Sequence, residues 1–390
     1  MVYDFDTEID RMPTSSVKWS FMKRITGLED LMPLWIADMD FASPPEVVEA
    51  LKERVAHPIY GYTAATEGYH NGLIKWMEKR NGWSGIQRDW VLFTPGVVAG
   101  FSFAIQAYSR PGDKVIIQPP VYYPFRNQIL INGRQVVDNP LKIVDGNYVM
   151  DFEDLEAKID DNTKMIILCS PHNPIGRVWK RDELERFVEI CEEKDIVIVS
   201  DEIHSDLILG EIEHTPTAVI SEEALQRTVT LVAPSKTFNL AGMTTADAII
   251  PNKKLRNAFK DIIEKNRTHN NLFGIIAQDA AYNKGEAWLE ELLAYLRGNL
   301  EYLEEFIKTR IPELVVYPLE GTYLAWIDCT SLAMDDEKLN DFMLKKAKLW
   351  LDEGTLFGIG GSKFMRVNIA CPRTILKRAL ESLEKAIRER

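Results

Sequence analysis

The chain has 390 residues, 46% apolar and 27% charged, with a formal net charge of −13. That length exceeds one compact core and suits an ordinary globular protein of unequal domains, while the acidic balance speaks against a nucleic-acid partner, which needs a basic face. The acidic start Val2-Tyr3-Asp4-Phe5-Asp6 is not a secretory signal, no run approaches the ~20 apolar residues of a membrane span, and Cys169, Cys191, Cys329 and Cys371 are scattered, so a cytoplasmic chain with no membrane role and no disulfide framework is expected.

In chain order, residues 1–45 show little regular period and several prolines. They read as an arm packing on the small domain or on a partner subunit. Residues 46–284 alternate short β-branched runs with helix-period stretches. The expected strands are Trp90–Thr94, Lys114–Gln118, Gln135–Asn139, Lys164–Ser170, Ile196–Asp201, Thr228–Ala233 and Ala246–Ile250. Runs such as Met165-Ile166-Ile167-Leu168 are apolar without alternation, the mark of strands covered on both faces. Between them lie segments such as Arg181–Lys194, where Leu184, Phe187, Val188 and Cys191 share one helical face. An α/β fold with a mostly parallel seven-stranded sheet follows. Residues 285–390 read as a smaller α+β domain: a long helix Glu286–Arg310, strands near Leu314–Tyr317 and Tyr323–Asp328, a helix near Glu337–Leu351, a strand near Phe364–Ile369 and a last helix Thr374–Arg388.

Three of the strands end in residues that are expensive to bury. Val197-Ile198-Val199-Ser200-Asp201-Glu202-Ile203-His204 puts two carboxylates at the C-terminal edge of the sheet, where ligands of open α/β folds gather. Val232-Ala233-Pro234-Ser235-Lys236-Thr237 places a lysine just past another strand; alone it is as readily a snorkelling side chain as a functional one. Ser170-Pro171-His172-Asn173-Pro174-Ile175-Gly176 follows a third. Thr94-Pro95-Gly96-Val97-Val98 turns into a helix-like run and offers free amides to an anion. Tyr122, Tyr123 and Arg366 have bland alternatives, as ordinary aromatics and as one half of a structural ion pair. His57, His70, His214 and His269 form no ligand spacing, and no metal is expected.

The order Asn173-Pro174-Ile175-Gly176, Asp201-Glu202, Ser235-Lys236, closing with Leu356-Phe357-Gly358-Ile359-Gly360-Gly361 and Met365-Arg366-Val367-Asn368, resembles fold-type-I pyridoxal-phosphate enzymes nearly end to end. The resemblance implies an aspartate-aminotransferase-like fold, with residues 46–284 binding pyridoxal 5'-phosphate. Lys236 would carry the cofactor covalently and then act as base on the substrate Cα proton. Asp201 would keep the pyridine nitrogen protonated, Asn173 would donate to the phenolic oxygen, and Tyr122 would stack on the ring, with His204 beside the cofactor. Val97, Val98 and Ser235 would hold the phosphate. Tyr123 would sit near the lysine and the substrate, and Arg366 would clamp the α-carboxylate. Tyr62 resembles a tyrosine that reaches the phosphate of the neighbouring subunit, which implies a homodimer with shared sites.

Three departures from the aminotransferase pattern bear on the reaction. His204 stands where many aminotransferases have tyrosine, Ala233 where they have serine and Thr244 where they have a phosphate-binding arginine. These departures, with Trp35-Ile36-Ala37-Asp38-Met39-Asp40-Phe41 and Glu320-Gly321-Thr322-Tyr323, resemble the carbon–sulfur β-lyases of the MalY/PatB and cystalysin type. That implies α,β-elimination on a sulfur amino acid to a thiol, pyruvate and ammonia. An aminotransferase, and the same fold with an added regulatory protein-binding role, are the alternatives.

Overall fold

The central sheet follows from its strand sequences. Its order is Val91–Thr94, Ala246–Ile249, Thr228–Val232, Val197–Asp201, Thr163–Cys169, Lys114–Ile117, Gln135–Asp138, in a computed structural model that describes residues 2–390. Only Ala246–Ile249 runs against its neighbours. All seven lie within one residue of the expected bounds. Both faces are covered: Met165, Ile167 and Cys169 pack into one cluster with Phe101, Ala104 and Ile105 of the helix Val97–Tyr108. Ile166 and Leu168 pack into another with Leu184, Phe187, Val188 and Cys191 of the helix Arg181–Glu193. The alternation is the two-residue period of a strand, hidden in the sequence because neither face meets water.

After the 25-residue helix Glu286–Arg310 comes a four-stranded antiparallel sheet ordered Val315–Val316, Leu324–Asp328, Phe364–Asn368, Asp352–Glu353. The expected helix Glu337–Leu351 needs correction. It spans Asp336–Lys345, and Lys348 at φ 57° turns the chain into a short strand, Leu349–Trp350. Met343, Ala347 and Trp350 fall four and three residues apart, so in the sequence a helix face continues past Lys345. In fact this strand pairs in parallel with Met32–Pro33, and Trp35 stacks on Trp350 at 4.3 Å.

The short helix Met22–Thr26, the strand Asp352–Glu353 and the hairpin Lys142–Val144/Asn147–Val149 also went unmarked in the sequence. The hairpin had a signal, since Asp145-Gly146 takes positive φ at both residues, the pattern of a two-residue primed turn. Among the described residues no helix is long and apolar enough to cross a membrane.

Candidate active site

A cavity opens where Thr163–Cys169, Val197–Asp201 and Thr228–Val232 end side by side. Val97, Val98, Tyr122, Asn173, Asp201, His204, Ser235 and Lys236 all line it. Arg366, Tyr123 and Tyr62 stand outside its wall. Sequence reasoning missed Ala37, Cys169, Ile203 and Thr245, which also face it. Of these Ala37 and Ile203 lay in motifs singled out beforehand, Trp35–Phe41 and Val197–His204.

Lys236 sits on the single helical turn Pro234–Thr237. The turn is pinned from behind: Thr237 Oγ1 donates to buried Asp206 at 2.8 Å, and Trp76 Nε1 donates to the same carboxylate at 2.9 Å. The ε-amine donates to the Ala37 carbonyl at 2.6 Å, and Tyr323 Oη donates to the same oxygen at 3.0 Å. The lysine keeps some surface towards the cavity but is enclosed elsewhere. That desolvation pushes its pKa down to about 8, with Arg366 adding to the fall and Asp38 and Asp201 opposing it.

Asp201 ends its strand, 3% exposed. Burial pushes its carboxyl up to about 7, against the pull of the Ile203 amide, which donates to Oδ1 at 3.2 Å, and of Lys236. A carboxylate so dry favours a cationic partner. His204 is held well below its ordinary pKa, first by burial and then by Lys236 and Arg366, so its ring is neutral; it meets Tyr323 edge-on.

The opposite wall is the start of the helix Val97–Tyr108. Gly96 caps it at φ 120°, a conformation that disfavours any side chain, and no side chain occupies the cap. Ordinary helix geometry leaves the amides of Val97, Val98 and Ala99 without intrahelical partners, and the helix dipole favours an anion there. Ser235 and Thr244 add hydroxyls nearby. Thr244, at φ 47°, receives a hydrogen bond from Asn271 Nδ2 at 3.3 Å.

Arg366 lies buried on Phe364–Asn368, over the Phe357 ring at 4.8 Å. Its Nη1 donates to Asn173 Oδ1 at 2.8 Å, and its Nη2 donates to the Trp35 carbonyl at 3.0 Å and to Asp352. Its Nε has no partner. Asp352, absent from the sequence reading, faces it across adjacent strands in register. The loop carrying Asn173 closes by Gly176, where a Cβ would come within 2.4 Å of Leu319 Cδ1, so glycine is required there. Tyr123 is 37% exposed beside Tyr122 and Phe357. Tyr62 is fully exposed on the extended segment between the helices Pro45–Ala56 and Glu67–Asn81.

Comparison with known proteins agrees with this geometry. The family model for aminotransferase class I and II matches residues 29–383. The cystathionine beta-lyase PatB of Bacillus subtilis is 42% identical over 98% of this chain and 100% of its own. The structure of cystalysin from Treponema denticola, which contains pyridoxal 5'-phosphate, superposes with a TM-score of 0.95 at 39% identity, covering 100% of each chain. The pyridoxal-phosphate-bound C-S lyase of Staphylococcus hominis gives a TM-score of 0.91 at 32% identity, over 99% of this chain and 98% of the other. With a seven-stranded, mostly parallel sheet and this end-to-end match, the chain belongs to the aminotransferase class I and II family.

Proposed function

We propose that the protein is a pyridoxal 5'-phosphate-dependent carbon–sulfur β-lyase, eliminating a thiol from Cβ of an amino acid and leaving pyruvate and ammonia. One observation carries the reading: a single cavity joins the depressed amine of Lys236, the dry carboxylate of Asp201 and an uncapped helix start. The donor set fits that cofactor. Asp201 suits a protonated ring nitrogen, and Tyr122 lies where a ring would stack. Arg366 occupies Asn173 Oδ1, which leaves Nδ2 to donate to the phenolic oxygen. Val97, Val98 and Ser235 supply donors for the phosphate, with His204 neutral alongside.

When bound, the cofactor supplies a ring that withdraws electrons from the substrate Cα. The chain does the rest. Arg366 binds the α-carboxylate and orients the Cα–H bond, Tyr123 meets the substrate at the mouth, and Lys236 Nζ takes the Cα proton. An amine with a pKa of about 8 is neutral in useful fraction near neutral pH, as a base must be.

The reading includes a cytoplasmic homodimer in which Tyr62 of each subunit reaches the neighbouring phosphate. It assigns residues 46–284 to a large cofactor-binding domain, 285–390 to a small one and 1–45 to an arm. Relatives named as lyases, together with His204, Ala233 and Thr244, support elimination over transamination.

The test is purified protein with cystathionine. Pyruvate should form without added keto acid. Keto-acid-dependent amino transfer with no pyruvate would replace the lyase by an aminotransferase. Lys236→Ala should abolish turnover and the visible absorbance of the linked cofactor.

A further inference from the structure

The Lys236 amine is held by a carbonyl, and that carbonyl is held by the N-terminal arm. Asp38 N donates to Ile36 O at 2.9 Å, a tight turn with Ala37 at its tip. Asn368 Nδ2 donates to the carbonyls of Ile36 and Asp38, both at 2.7 Å, and fixes the back of the turn. Its front is fixed by charge. Arg11 bridges Asp38 Oδ2 and Asp40 Oδ1, each at 2.6 Å, and Lys18, fully buried, bonds Asp40 Oδ2 at 2.7 Å and the Asp38 carbonyl at 3.2 Å. Trp19 Nε1 adds a bond to Asp40 at 2.8 Å. Desolvating a lysine is costly, and its bonds to Asp40 and to the Asp38 carbonyl offset that cost only while this geometry is held. Nothing in cofactor or substrate binding uses these groups directly.

We propose that Arg11 and Lys18 are positioning residues: through Asp38 and Asp40 they hold the Ile36–Asp38 turn so that the Ala37 carbonyl receives the ε-amine of Lys236 whenever that amine is not covalently engaged. The inference rests on the reading of Lys236 as the cofactor-bearing base. On release from the cofactor, the amine must stay within reach of the substrate Cα rather than swing free. A rigid acceptor gives it one resting place, with Tyr323 Oη sharing the oxygen to limit its drift. The charged groups that act on the amine are Asp38 from this turn and Asp201 and Arg366 from two strands, with neutral His204 beside them. Arg11 therefore has a second effect, because it offsets the charge of Asp38, the acidic neighbour that acts most strongly on Lys236.

The experiment compares holoenzymes of Arg11→Met, Arg11→Lys, Asp38→Asn and Glu8→Gln. Two quantities are read: the pH midpoint of the visible absorbance change and the split between kcat and KM. Glu8 pairs with Arg378 and Thr374, so Glu8→Gln loosens the arm without touching the turn. Arg11→Met, at a partly exposed site, should lower kcat about tenfold with KM within about twofold, because the released amine is misplaced while carboxylate binding survives. Its midpoint should rise by at least about half a pH unit, because Asp38 loses the nearer of its two cations and keeps only Lys18, 3.7 Å away. Asp38→Asn should lower kcat as well but move the midpoint down. Arg11→Lys should recover part of both changes, and Glu8→Gln should match the wild type.

Opposite midpoint shifts are the signature that general loosening of the arm does not produce. Shifts of one sign in both variants, equal shifts in Glu8→Gln, or unchanged midpoints with unchanged kcat would each overturn the proposal. If Lys236→Ala kept the visible absorbance, the underlying reading would fail. If Lys236→Ala loses it while Arg11→Met and Asp38→Asn do nothing, only this inference fails.

Discussion

Replacing Arg366 by methionine separates the substrate role proposed for that residue from what it does for the fold. The guanidinium and its partner Asp352 are 3% and 6% exposed, and their strands are paired in register, so the backbone cannot relax far when one is lost. Removing one member of such a buried pair costs about 3–5 kcal/mol, mostly as an uncompensated charge. Burial already favours the protonated form of Asp352. Without Arg366 its folded pKa would stand further above its unfolded value. The folded state then binds more protons than the unfolded one between those two values, so the penalty grows as pH rises through the window and shrinks as pH falls. Urea unfolding should therefore show a larger loss for Arg366→Met at pH 8 than at pH 5.5. Adding Asp352→Asn should return at least about half of the lost stability, since it replaces the stranded carboxylate by an amide. It should return none of the lost kcat/KM with cystathionine, because an amide cannot replace the carboxylate clamp proposed for Arg366. Recovery of activity with stability in the double variant would show that Arg366 is a structural pair only, and the assignment of the substrate clamp would fall.

Two other expectations use the same geometry. In the cofactor-free protein, only the neutral amine of Lys236 attacks an aldehyde, so covalent capture of pyridoxal phosphate should speed up as pH rises through about 8; a rate flat from pH 7 to 9 would contradict the depressed amine. Hybrid dimers of Tyr62→Phe and Lys236→Ala subunits should test site sharing. Each parent should bind cofactor weakly or turn over nothing, whereas the hybrid holds one site that is wild-type at both positions. Activity with no dependence on pairing would remove Tyr62 from the neighbour's site.

What the sequence made legible is the part fixed by local rules. Strands covered on both faces announce themselves by unbroken apolar runs, so Met165–Leu168 and Ile198–Val199 located the sheet and its C-terminal edge. Costly residues at that edge, Asp201 and Lys236, then located the cavity. What escaped depends on partners distant in the chain. Leu349–Trp350 forms a strand only because Met32–Pro33 pairs with it, and Trp350 alone continues the helical spacing of Met343 and Ala347. Asp352 is one aspartate among many until Arg366 lies across from it. Ala37 carries no chemical signal at all, since its contribution is a backbone carbonyl. Nothing in the sequence around Lys18 marks it as fully buried.

The chemistry of elimination decides which substrates such a site can use. In the proposed reaction, once Lys236 has taken the Cα proton, the group on Cβ must leave with its electron pair. A thiol, with a pKa of about 8.5, leaves as a stable anion; hydroxide, the conjugate base of water at about 15.7, does not depart without a proton. The phenols close to the site are poor sources for that proton, because burial raises the pKa of Tyr122, Tyr123 and Tyr323 alike. In the proposed reaction Asp201 is engaged with the ring nitrogen, and the remaining acid is the ammonium that Lys236 becomes on taking the Cα proton. Cystathionine and serine offer Arg366 the same α-carboxylate, yet only the first carries a leaving group that needs no acid. Pyruvate formation from serine should therefore be slower than from cystathionine by at least about a hundredfold in kcat. Serine turnover within tenfold of cystathionine would mean that a proton donor aimed at Cβ exists, and the assignment of Lys236 as the sole mover of protons would have to be given up.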